Sequence, residues 1–92
     1  MKETYISVSN GTRYANIGTI IDDEMVMIQV NIIDNSHSWG ILVVDPDGNT
    51  YYELVNKEKE SIEIEFVLES KSLYKLMVTR YKDNIDISLT EY

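Results

Sequence analysis

Apolar and polar residues alternate with a period of two along most of this 92-residue chain. Ile62, Ile64, Phe66 and Leu68 fall on one side of an extended backbone, and Glu63, Glu65 and Glu69 on the other. Val26, Ile28, Val30 and Ile32 alternate with Met25, Met27, Gln29 and Asn31. Tyr74, Leu76 and Val78 alternate with Lys75, Met77 and Thr79, and Ile85, Ile87 and Leu89 with Asp86, Ser88 and Thr90. One buried face and one wet face is the pattern of antiparallel strands.

Turn-forming residues interrupt this pattern at nearly constant spacing: Asn10-Gly11, Asp22-Asp23, Asp34-Asn35, Asp45 to Asn49, Asn56 to Glu60, Ser70 to Ser72 and Asp83-Asn84. Gly, Asn and Asp tolerate left-handed backbone or close local hydrogen bonds, which is why they collect at turns. Eight strands are predicted between them, over residues 3–9, 13–21, 24–33, 38–44, 50–55, 61–68, 73–81 and 85–91. Asp45-Pro46-Asp47-Gly48-Asn49 reads as a hairpin, with Pro46 at the first central position of a type I turn and Gly48 at the left-handed position that closes it. The stretch Trp39 to Val44 is apolar on both faces apart from Gly40. It predicts a central strand, or one whose second face is covered by a partner.

Composition sharpens the class. Twelve Ile, eight Val, six Thr and seven Tyr favour strands, and there is one alanine, the best helix former. Short strands at 8–12-residue spacing predict a single all-β domain over residues 1–92, an antiparallel β-sandwich of seven or eight strands. A jelly roll or barrel is the alternative. The expected core is Ile6, Val8, Val26, Ile28, Val30, Trp39, Ile41, Val43, Ile64, Phe66, Tyr74, Leu76, Val78, Ile87 and Leu89. No cysteine means no disulfide framework, thiolate metal cluster or thiol catalysis, and a single histidine argues against multi-His metal sites. A net charge of −8 argues against nucleic acid and anionic membrane as partners. No apolar run approaches a membrane span, and the N-terminus lacks the apolar stretch of a signal peptide. The chain is therefore expected to be cytoplasmic if complete, and secreted or at the cell surface if it is an excised domain.

Ser38-Trp39-Gly40-Ile41-Leu42-Val43-Val44, the Asp45-Pro46-Asp47-Gly48 hairpin and Leu73-Tyr74-Lys75-Leu76-Met77-Val78 follow one another in a recognisable order. A core Trp on the third or fourth strand and a Tyr entering the penultimate one resemble an immunoglobulin-like sandwich. The cadence over residues 24–91 is similar to that of bacterial pre-peptidase C-terminal and related accessory modules. That resemblance implies a non-catalytic appendage of a secreted or surface protein. The inter-sheet cysteine pair of antibody-type domains is missing.

Several groups could carry chemistry. Asp45, Asp47 and Asn49 have the alternating oxygen spacing that calcium uses, but Gly48 stands fourth where a calcium loop places glycine sixth, and Asn56 stands at the glutamate's twelfth position. The hairpin turn already explains each residue. Glu63, Glu65 and Glu69 could supply an acid–base pair for glycoside hydrolysis; a solvated strand face explains them equally and more simply. Ser36, His37, Ser38 and Asp34 lie too close in sequence for triad geometry. Asn10-Gly11-Thr12 fits a glycosylation acceptor and also a hairpin. Lys57, Lys59, Lys71, Lys75, Arg80 and Lys82 form a basic stretch, but Glu53, Glu58, Glu60, Glu63, Glu65 and Glu69 adjoin it, so cross-strand ion pairs are expected.

The tyrosines are the best binding candidates. Tyr5, Tyr14, Tyr51, Tyr52, Tyr81 and Tyr92 cannot all face one small core, and neighbours Tyr51 and Tyr52 must point to opposite faces. Exposed Tyr offers rigid contact area to a protein or a sugar ring. No catalytic, cofactor or metal site is expected. The expected role is a non-catalytic interaction domain for a protein or cell-surface partner. A self-assembling coat, tail or fibre subunit is the first alternative, motivated by the 39–44 strand and by Met25, Met27 and Ile33. A carbohydrate- or calcium-dependent binding module is the second.

Overall fold

A computed structural model describes residues 2–9, 11–34, 38–56, 60–68, 72–81 and 84–92, and for Val55 and Asn56 the backbone. Eight strands run in chain order: β1 (Lys2–Ser9), β2 (Tyr14–Ile21), β3 (Glu24–Asp34), β4 (Ser38–Val44), β5 (Thr50–Asn56), β6 (Ser61–Val67), β7 (Leu73–Tyr81) and β8 (Asn84–Glu91). They form two four-stranded antiparallel sheets, β1-β8-β7-β6 and β2-β3-β4-β5. The predicted eight-stranded sandwich is present, and each predicted strand lies within two residues of its observed ends.

The sheets are joined simply. Every ladder links strands consecutive in the chain, except β1 with β8. Walking round the sandwich therefore meets the strands in chain order, with β1 against β2 and β5 against β6 across seams that carry no ladder. This meander differs from the Greek-key order of immunoglobulin domains, whose sheets interleave non-consecutive strands. Strand cadence is common to both arrangements and does not record which strands share a sheet.

Turn chemistry fixes the registers. Asp22 and Asp23 both have positive φ, 50° and 64°, and pair Ile21 directly with Glu24. That is the two-residue hairpin with two left-handed residues whose twist matches the flanking strands, and Asp is among the few non-glycine residues that adopt it readily. Gly48, at φ 87°, closes the β4–β5 turn, where its N–H donates to the Asp45 carbonyl at 3.0 Å.

The core lies between the sheets. Ile17, Ile28, Val30, Trp39, Ile41 and Val43 from one sheet meet Ile62, Phe66, Tyr74, Leu76, Val78, Ile85, Ile87 and Leu89 from the other. Phe66 stacks on Tyr74 with ring centroids 5.7 Å apart, and Tyr51 leans on Phe66 at 5.2 Å. Three expectations need adjusting. Ile6 and Val8 pack against the core but stay half-buried, because β1 is an edge strand. Val26 is also half-buried, beside a cleft at one end of the sandwich. Ala15, Ile17, Ile32, Ile62, Leu68 and Ile85 also belong to the core.

Candidate interaction surface

The two sheets present very different outer faces. Burial alternates along each strand, so the register defines which side chains stand together away from the core. On the β2–β5 sheet, Tyr14, Asn31, Leu42 and Tyr52 form one row across all four strands. The next row is Asn16, Gln29, Val44 and Thr50. Towards one end, Gly18 stands opposite Met27 and Ile20 opposite Met25; towards the other, Ile33, Gly40 and Leu54 align. None of these outward positions is charged. Met25, at 65% exposure, is the most exposed large apolar residue among those described; Tyr52, Met27, Tyr14, Ile20 and Leu54 are exposed as well. Strand β4 is an interior strand, which accounts for one apolar side of Trp39–Val44; its other side belongs to this face.

Polar groups on the face are tied to one another. The Asn16 amide donates to the Tyr14 hydroxyl at 3.0 Å, and the Gln29 amide to the Asn31 carbonyl oxygen at 3.4 Å. The sulfurs of Met25 and Met27 lie over Gly18.

The other sheet's outer face is charged. Lys75 on β7 bridges Glu63 at 3.2 Å and Glu65 at 4.0 Å on β6, as cross-strand pairing predicts. The hydrogen bond to Glu63 and its negative charge hold the Lys75 ammonium above its ordinary pKa. Tyr5 on β1 hydrogen-bonds Asp86 on β8, which raises its phenol pKa. Ser7 donates to the same carboxylate at 2.8 Å. Tyr81 is also exposed. Tyr92 lies under the Lys75 ammonium, 5.9 Å from the ring centre.

The Asp45 turn is built for structure. Asp45 is buried; its Oδ1 accepts from the Asp47 and Asn49 N–H groups at 3.0 and 2.9 Å, and its Oδ2 from the Asn49 side-chain amide at 3.4 Å. Tyr51 points inward and Tyr52 outward, as neighbours on a strand must. Burial and the adjacent Asp45 carboxylate raise the Tyr51 phenol above its ordinary value. Asp45→Ala leaves the two turn amides without their acceptor and is expected to cost about 1–3 kcal/mol, read as a lower urea midpoint. It also lets Tyr51 titrate closer to the ordinary phenol value, read from phenolate absorbance. A folded pKa raised above the unfolded one means that Tyr51 contributes stability that is full below the unfolded value of 10.0 and lost as pH rises through the folded pKa. Removing Asp45 therefore flattens that alkaline loss.

Among the described residues, two clefts of about 330 Å³ each lie against the sandwich. One is lined by Thr12, Arg13, Asp34, Arg80 and Ile85. There Arg80 Nη1 and Nη2 donate to the two Asp34 carboxylate oxygens at 3.3 Å each, and the guanidinium lies 5.4 Å from the Trp39 ring centre. Asp34 is thus an ion-pair partner across the two sheets. The other cleft is lined by Asp22, Glu24, Asp47, Pro46 and Leu68. Among the described residues, no three His, Asp or Glu side chains are grouped to hold a metal ion, and no helix is long and apolar enough to cross a membrane. Asn10, Asn35, Ser36, His37, Lys57, Glu58, Lys59, Glu69, Ser70, Lys71, Lys82 and Asp83 lie outside the described residues.

The uncharged face was visible in the sequence only piecemeal, through Met25, Met27, Ile33 and the doubly apolar β4. Assembling it requires the registers of three ladders. Compared with protein-family models, curated proteins and solved structures, the chain matches none.

Proposed function

We propose that this chain is a non-catalytic interaction domain that binds a protein through the outer face of β2–β5. The observation that supports this most is the absence of charge from a whole sheet face in a protein whose residues are 26% charged. An outer sheet face left to water gathers Lys and Glu, as the β1-β8-β7-β6 sheet does with Glu63, Glu65, Lys75 and Asp86 set among its exposed Tyr5, Val67, Leu73, Met77 and Tyr81. An uncharged sheet face with six large apolar side chains exposed on a small domain marks an interaction site. Tyr14 and Tyr52 supply rigid aromatic contacts at the two edges of one row, and the methionines a deformable surface at one end.

A photocrosslinking pair tests the proposal. Benzoylphenylalanine is placed at Tyr52, 56% exposed, or at Tyr5, 59% exposed on the other sheet. Equal exposure makes any difference in trapping a property of the face. In cells, position 52 is expected to trap one discrete protein species and position 5 none. Equal trapping at both, or none at 52, would overturn the reading.

A further inference from the structure

We infer that the β2–β5 face binds a second copy of this chain, in a twofold-symmetric, face-to-face dimer. The inference rests on the interaction-domain reading and adds the identity of the partner. Its first support is the kind of polar group present. Asn16, Gln29 and Asn31 each carry an amide that both donates and accepts, and the hydroxyls of Tyr14, Tyr52 and Thr50 do the same. A twofold interface sets a surface against itself. Donor-only Lys or Arg and acceptor-only Asp or Glu then meet their own kind, whereas amides and hydroxyls find complements by rotation. The face carries only the self-complementary kind.

Charge elsewhere gives the second support. Each copy bears −8. Two copies approaching through the other sheet would bring Glu63, Glu65 and Asp86 against one another. The uncharged face is where approach opposes no like charges locally, leaving a long-range repulsion that salt screens. A foreign partner of this acidic protein would be steered by complementary charge, and the face offers none. Area is the third. Six exposed apolar side chains and the amides between them occupy a whole four-stranded sheet face, and each side of a standard-size interface contributes about 800 Å². Stacked sheets pack about 10 Å apart with interdigitating side chains, and Met25 and Met27 can fill mismatches.

The test is molar mass by light scattering and sedimentation across a wide concentration range, on the full chain and three variants. The wild type is expected to move from 10.7 kDa to twice that mass as concentration rises, and to associate more tightly at higher ionic strength. Tyr52→Glu and Met27→Glu, both at exposed positions, are expected to weaken association at least tenfold while circular dichroism stays native. Met77→Glu, on the outer face of the other sheet, leaves it unchanged. Wild-type protein that remains at 10.7 kDa throughout overturns the dimer, as does association that weakens with salt or that responds to Met77→Glu as strongly as to Tyr52→Glu. If the chain stays monomeric while position 52 traps a different protein, the dimer fails and the interaction-domain reading stands. If position 52 traps nothing, both fail.

Discussion

Trp39→Ala is expected to remove about 3–5 kcal/mol of stability, the range for deleting a large buried aromatic. Small domains have about 5–15 kcal/mol in total, so the variant sits near the edge of folding. Trp39 retains 2% exposure and lies on an interior strand, opposite Asp34 on β3 and Val55 on β5. Neighbouring strands hold the backbone in place, so the site cannot collapse into the space the indole leaves. Arg80 loses more than a neighbour. Its guanidinium sits over the indole while its nitrogens hold Asp34 across the two sheets, so the substitution also loosens an ion pair that joins the sheets. At about 4–8 °C per kcal/mol for a domain of this size, the melting temperature should fall by roughly 12 °C or more. Trp39→Phe keeps most of the volume and should cost less than half as much. Trp39 is the only tryptophan, so the transitions are followed by far-ultraviolet circular dichroism. A surface role for the indole predicts a change within about 0.5 kcal/mol, and that result would remove Trp39 from the core account.

Much of this architecture is readable residue by residue. The alternation of Ile62, Ile64 and Phe66 with Glu63 and Glu65 states which side of β6 is buried, because strand geometry admits one period. The turn residues mark where strands end, because few residue types accept a left-handed backbone. Three things escape a one-dimensional reading. Alternation assigns Ile17, Ile32, Ile62 and Ile85 a face but not a depth; depth depends on how far the opposite sheet extends over them. Sheet membership depends on which strands pair, and the meander and the Greek key draw on the same short strands and turns. A surface patch is a property of rows that cross strands. Tyr14, Asn31, Leu42 and Tyr52 are separated by up to 38 positions in the sequence, and only the β2–β3–β4–β5 registers bring them into one line. The Asp45 turn shows the reverse limit. Its D-x-D-x-N spacing suggests oxygen ligands for a cation, whereas both carboxylate oxygens of Asp45 accept from the turn's own N–H groups.

Two glycines on the same sheet face separate backbone crowding from side-chain crowding. A methyl group added at Gly40 presses into the Glu53 carbonyl oxygen and meets the Leu54 Cα at 3.0 Å and Cδ1 at 3.0 Å. The first two are backbone atoms of the paired strand β5, where Leu54 stands directly opposite Gly40. They can move only by separating β4 from β5 at that point. Gly40→Ala should therefore cost about 3 kcal/mol, the upper end for overpacking, because ladder hydrogen bonds stretch together with the contact. At Gly18 the added methyl meets the Met25 sulfur at 2.9 Å and the Met27 sulfur at 3.2 Å. These are far ends of unbranched side chains that reach solvent and turn aside at small cost. Replacing glycine there also restricts the unfolded chain, a gain of about 0.4–1 kcal/mol, so Gly18→Ala should lie within about 1 kcal/mol of the wild type. The pair is compared by chemical denaturation under identical conditions. Equal losses would mean that the methionine sulfurs are held as rigidly as backbone, and the deformable surface assigned to that end of the face would have to be abandoned. A large loss at Gly40 with little change at Gly18 places the rigid part of the face at β4–β5 and the adaptable part at β2–β3. Shape complementarity to a partner is then demanded most strictly around Leu42, Tyr52 and Leu54.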